Sequence, residues 1–196
     1  MKPTHFVSMD IETTGLDPET CHILEFGAVI DSLDLPRDER KEFHCFVVHD
    51  VIVGEPYALA MNHEILRILA DKEKSPQYKF LRWSDVSYEF SRWLKQNTPE
   101  SKSHTAGGKN FASFDLRFLR RLPGWKDNVR LRHRYIDPAE LWWDPDLDGT
   151  VLPDSDTCLA RAGITKSTAH RALADAHDTC ELVRRWHERQ RAASAA

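Results

Sequence analysis

The sequence predicts an α/β domain on a mixed central sheet whose first strands are antiparallel and whose faces carry helices. Alternating apolar residues mark strands over 5–13, 22–30 and 42–49. After residue 56 apolar residues recur at helical spacing in several segments. No internal repeat or low-complexity tract interrupts them, so early strands followed by mixed strands and helices belong to one layered α/β architecture.

The first two strands are separated by the turn-rich "GLDPET", a connection short enough to make them antiparallel neighbours. "PYALAMNHEILRILA" (56–70) and "SDVSYEFSRWLKQN" (84–97) are expected helices, the second with Ser84 as N-cap and Asp85 in its first turn. "SHTAGGKN" (103–110) returns to a short strand and a glycine-rich loop, and a helix over 113–122 stops at Pro123-Gly124. "RLRHRYID" (130–137) reads as a further strand. The last helix runs from Ala172 past Trp186, and residues 191–196 are expected to fray into a flexible tail.

With 196 residues, 41% of them hydrophobic and 30% charged, the chain suits one domain with a sizeable core, expected over 1–190. No uncharged stretch approaches the roughly 20 residues that span a bilayer, so no membrane partner and a cytoplasmic location are expected. Cys21, Cys45, Cys158 and Cys180 form no CxxC pair, which argues for reduced, mostly buried thiols. A net charge of −4 disfavours coating of long duplex nucleic acid but leaves room for a local basic groove. Arg117, Arg120, Arg121, Lys126, Arg130, Arg132 and Arg134 form such a segment, against Asp127 alone. Residues 135–156 reverse the sign, with seven acids and no Lys or Arg, a pattern usual for a solvated surface.

On a strand, side chains two apart share a face, so Asp10 and Glu12 project together while Val7, Met9 and Ile11 point the other way. Two like charges so close call for a cation, basic side chains or solvent. Asp115 opens the helix expected over 113–122, where an acid also serves as ordinary first-turn charge. In "TAHRALADAHDTCELVRRW", His170 and Asp175 are five apart, about 140° around a continuous helix, and they converge only if His170 precedes it on a loop. Three Asp, a Glu and a neighbouring His match what Mg²⁺ or Mn²⁺ requires while water and phosphate fill the other positions.

"DIETTGLD", "NFASFD" and "HRALADAHDT" resemble, in order and across most of the chain, the three motifs of the DEDDh 3′-to-5′ exonucleases, a branch of the RNase H-like fold. The resemblance implies that Asp10, Glu12, Asp115 and Asp175 bind two divalent metal ions and that His170 is the general base, releasing nucleoside 5′-monophosphates. An imidazole suits that role because its unperturbed pKa, ~6.5, leaves it able to accept a proton near neutrality. His177, Asp178 and Glu181 are treated as surface residues. The resemblance places Leu16 as a wedge against the terminal base, the backbone near Thr13 beside the 3′ end, and Phe111 as a stacking platform; a core or rim hydrophobe is the competing reading of Leu16 and Phe111. Asn110 lies five before Asp115, as in oligoribonucleases, whereas Thr13 stands where those enzymes usually carry Met, so the subfamily stays open.

The implied partners are the 3′ ends of single-stranded DNA or short RNA, and a homodimer is a possible assembly. A catalytically inert binding or interaction module on the same fold is the alternative, opposed by the complete carboxylate set with His170. A phosphatase with Asp10 as nucleophile ranks below both, because no partner Lys and acidic motif follow. "DPDLDGTVLPDS" (144–155) has the register of a calcium loop at Asp144, Asp146, Asp148 and Gly149, but Ser155 replaces its closing Glu and a solvated acidic turn is expected.

Overall fold

The structure is a computed structural model that describes residues 5–98, 100–165 and 170–195. In chain order the elements are β1 (His5–Thr13), β2 (Ile23–Ser32), β3 (Lys41–Val48), α1 (Pro56–Met61), α2 (His63–Ala70), β4 (Phe80–Arg82), α3 (Val86–Asn97) and β5 (Ala106–Gly107). There follow α4 (Asp115–Leu119), α5 (Trp125–Asn128), α6 (Pro138–Leu141), α7 (Pro145–Asp148), α8 (Ser155–Ala162) and α9 (Ala172–Ala195). The five strands form one sheet in the order β4-β3-β2-β1-β5. β1, β2 and β3 are antiparallel neighbours, and β4 and β5 join the two edges in parallel. The mixed α/β sheet with an antiparallel start is the architecture the alternation predicts.

The two-residue period of the strands divides the sheet into unlike faces. Val7, Met9 and Ile11 of β1, Phe26, Ala28 and Ile30 of β2 and Phe43, Cys45 and Val47 of β3 build the larger core with α3, α4 and α5. On the opposite face Phe6 and Val29 pack against Ala176, Cys180 and Val183 of α9. Further along that face stand Asp10 and Glu12, directly opposite Gly27 and Glu25 in the β1–β2 register. The register slips between Glu12 and Thr13, a bulge of the kind that re-aims side chains at sheet edges and sites. All four cysteines are free and buried, as their spacing implied.

Several local expectations change once packing is included. The helix expected over 56–70 divides at Asn62, which leaves helical geometry to donate its side-chain amide to the Thr13 carbonyl at 2.9 Å. Ser84 is not the N-cap of α3: its hydroxyl donates to Asp85 Oδ1, and Asp85 is the cap residue. β2 continues to Ser32 because Asp31 is buried against Arg184 and Arg40. Residues 130–137 make only isolated bridges at Leu131 and Ile136, since β5 offers just two residues to pair with and Arg130, Arg132 and Arg134 stay in solvent. The helix expected over 113–122 shrinks to α4 as Gly124 turns the chain through a positive φ into α5. At the C-terminus α9 continues to Ala195, through residues expected to fray. Among the described residues no helix is long and apolar enough to cross a membrane.

Candidate active site

Three motifs far apart in the chain meet on the α9 face of the sheet. β1 supplies Asp10 and Glu12, and the first turn of α9 supplies Asp175. One oxygen from each of these three carboxylates lies within 4.8 Å of the others. Asp115, the first residue of α4, is 3% exposed and joins them on a cavity of 470 Å³ that is also lined by Lys109, Asn110 and Phe114. His170 lies on an adjoining cavity of 190 Å³ that shares Asp10, Asp175, Lys109 and Asn110.

Crowding of acids governs the electrostatics. Burial, then the nearby charges of Asp115, Asp175, Glu12 and Glu25, holds Asp10 well above the ordinary carboxylate range, although part of its side chain meets solvent. Burial and the same kind of repulsion, from Asp175 and Glu25, raise Glu12 to about 7. Asp115 is likewise raised to about 7, chiefly by burial, against the opposing effect of its hydrogen bond from the Ile11 N–H. Carboxylates pushed up together in this way favour either protons or a multivalent cation. An all-oxygen donor set suits a hard divalent ion, so the residues present fit the metal chemistry their types suggest.

The predicted positions do not all behave alike. His170 is exposed and precedes α9, the arrangement needed for it to converge with Asp175; the Lys-Ser-Thr-Ala segment before it, also part of that expectation, lies outside the described residues. Leu16 is 71% exposed, with its backbone N–H held by Glu55 Oε1. Thr13 is buried, its hydroxyl donating to Gly15 O and its carbonyl already accepting from Asn62. Phe111 corrects the sequence expectation: at 1% exposure its ring packs edge-on to Tyr135 inside the core, so it presents no face to a base. Asp178, expected as a surface acid, lines the cavity beside His170. His177 and Glu181 are half-buried and engaged in ion pairs, with Glu42 and with Arg37 and Arg40 respectively.

Three residues at the site were not singled out from sequence. Lys109 lines both cavities and brings a cation to a carboxylate cluster. Asp137 accepts the Asn110 N–H at 2.9 Å and so steadies a loop in which Asn110 takes a φ of 53°. Glu25 is wholly buried opposite Glu12. The available signal was a lone acid in the otherwise apolar "ILEFGAVI", because a buried carboxylate demands partners. The calcium-loop register is spoken for within the protein. Asp144 caps α7 through the Asp146 N–H, and Asp148 makes a two-point pair with Arg161, which holds its carboxyl at about 2. The acidic turn is thus internally paired rather than simply solvated.

This constellation on a mixed sheet defines a DEDDh-type 3′-to-5′ exonuclease, and the chain belongs to the RNase T exonuclease family, which it matches over residues 7–183. It is 28% identical over 196 residues to the oligoribonuclease of Thiobacillus denitrificans, covering 96% of each chain. It is 29% identical over 195 residues to ribonuclease T of Pectobacterium atrosepticum, covering 92% of this chain and 82% of that one. In fold it resembles the nuclease domain of 3′hExo, a DEDDh family member bound to rAMP, with a TM-score of 0.69 at 13% identity over 96% and 94% of the two chains. Exonuclease I of E. coli in complex with an oligonucleotide aligns with a TM-score of 0.64 at 18% identity, over 96% of this chain and 42% of that one.

Proposed function

We propose that the protein removes nucleotides from the 3′ ends of single-stranded RNA or DNA by metal-dependent hydrolysis, releasing nucleoside 5′-monophosphates. The supporting observation is the convergence of Asp10, Glu12 and Asp175 within 4.8 Å, beside a cavity carrying Asp115. These four carboxylates would hold the ions. When bound, two divalent ions, Mg²⁺ or Mn²⁺, supply the positive charge that offsets the scissile phosphate and the departing 3′ oxygen.

His170 accepts a proton from the attacking water. The water oxygen forms the new bond to phosphorus, the bond from phosphorus to the 3′ oxygen of the preceding nucleotide breaks, and that oxygen takes a proton from solvent, leaving the strand with a 3′ hydroxyl. Leu16, exposed on the turn after β1, packs against the terminal base. The exposed basic residues from Arg117 to Arg134, which continue from α4 beyond the site, offer phosphate contacts to the strand. Residues 1–190 act as one catalytic domain working in the cytoplasm.

The test is incubation with 5′-labelled single-stranded DNA and RNA of two lengths in Mg²⁺, Mn²⁺ or EDTA, with products resolved by size. A ladder shortening from the 3′ end, present with either ion and absent in EDTA, is expected, and faster decay of one substrate identifies the preferred sugar and length. Intact substrate under every condition, or shortening that persists in EDTA, would overturn the proposal.

A further inference from the structure

A buried carboxylate with no part in the proposed chemistry sits one strand away from it. Glu25 has no solvent exposure, and its two oxygens are shared among four donors. Arg171 Nε lies 3.0 Å from both oxygens, and its Nη2 lies 2.9 Å from Oε1. The Ala172 N–H points at Oε2 from 3.4 Å, and His44 Nε2 lies 2.6 Å from Oε1. These partners hold Glu25 below its ordinary value despite its burial. Such a cluster is costly to form and therefore stiff once formed, since losing any partner strands charge in a low-dielectric interior.

Three of the four donors belong to the two residues that immediately follow His170. β2 thus grips the entrance to α9 at the side chain of residue 171 and the backbone of residue 172. Gly27, two residues along β2 on the same face, completes the grip: a Cβ there would stand 2.3 Å from Leu173 N and 2.5 Å from Ala172 O. Phe46 on β3 adds a ring beneath the Arg171 guanidinium, 5.3 Å from its centroid. Neighbouring Cα atoms in a chain are 3.8 Å apart, so fixing residues 171 and 172 leaves His170 little freedom on that side.

We propose that Glu25 is a positioning residue for His170, acting through Arg171. The inference rests on the reading of His170 as general base. It assigns β2 a function besides its place in the core: β2 sets where the base stands relative to Asp10 and Asp175. Arg171 also lies close enough to Glu12 to favour its ionised form, so the test separates an effect on His170 from one on the carboxylate cluster.

The experiment measures kcat, KM, Mn²⁺ affinity and thermal stability for Glu25→Gln, Arg171→Ala, Arg171→Lys and His170→Ala, and for the first two combined with His170→Ala. Glu25→Gln and Arg171→Ala are each expected to lower kcat by about 10- to 100-fold with KM and Mn²⁺ affinity nearly unchanged. Arg171→Lys, which keeps the charge but not the fork, falls between them and the parent protein. In the His170→Ala background the same substitutions are expected to cost less than about threefold more, because the group they position is gone. A loss of undiminished size in that background, or a matching loss of Mn²⁺ affinity, would overturn the proposal. If His170→Ala alone leaves kcat unchanged, the general-base reading fails and this inference with it. Should Glu25→Gln not fold, Arg171→Ala carries the same cycle, its side chain being 24% exposed.

Discussion

Asp115 on α4 reaches back to β1, where its Oδ1 accepts the N–H of Ile11, the residue between Asp10 and Glu12, at 3.1 Å. The carboxyl that the second motif brings to the site therefore also ties α4 to the strand bearing the first. Asp115→Ala should abolish turnover and, by orphaning a buried N–H, cost about 1–3 kcal/mol of stability. Asp115→Asn keeps an acceptor oxygen and should lose turnover while retaining most of the stability. Urea unfolding alongside exonuclease assays distinguishes the two, and equal instability in both would show that the bond contributes little.

Glu12 gives a pH-dependent signature. Its native value, about 7, is raised from an ordinary 4.5, so between those values the folded state binds more protons than the unfolded one and stability falls as pH rises. Below the ordinary value the penalty vanishes, and above about 7 it is complete, at most about 3 kcal/mol. In metal-free protein Glu12→Gln should accordingly have little effect near pH 4 and raise the melting temperature at pH 8. A melting-temperature difference that does not grow across that window would contradict the assigned crowding.

Leu16 and Phe111 should separate cleanly. Phe111→Ala removes a ring from the core and should destabilise the fold by about 3–5 kcal/mol. Leu16→Ala, at a side chain 71% exposed, should leave the melting temperature unchanged and raise KM for single-stranded substrate. Steady-state kinetics and calorimetry on both variants check the contrast.

The acidic turn at 144–149 should be silent in catalysis. Asp144→Ala and Asp148→Ala remove a helix cap and the partner of Arg161, so each should lower stability without changing kcat. Tight Ca²⁺ binding that survives Asp10→Ala and disappears in Asp144→Ala, measured by calorimetry, would restore the calcium reading.

The alternation in β1 placed Asp10 and Glu12 on one face because strand geometry is local, with a period of two. Amphipathic spacing likewise located α3 and α9 to within a few residues. It failed at Asn62, where a side chain leaves its helix to serve the first motif, and over 130–137, where the absence of a long partner removes the ladder that defines a strand. For Phe111 the sequence leaves a stacking face and a core ring both open, because an aromatic four residues before an acid looks the same whether its ring faces solvent or the core; the fold puts the ring in the core.

The chain's own pattern determined the mixed sheet, the carboxylate and histidine motifs and their order, since each depends on short-range periodicity and residue chemistry. Tertiary structure alone decided that Glu25 lies opposite Glu12 and holds Arg171, and that Asp115 accepts from Ile11. The Glu25–Arg171 and Ile11–Asp115 contacts join segments more than 100 residues apart. They exist because a buried carboxylate must find donors wherever the fold brings them, and strand register and helix docking, rather than sequence spacing, determine which donors those are.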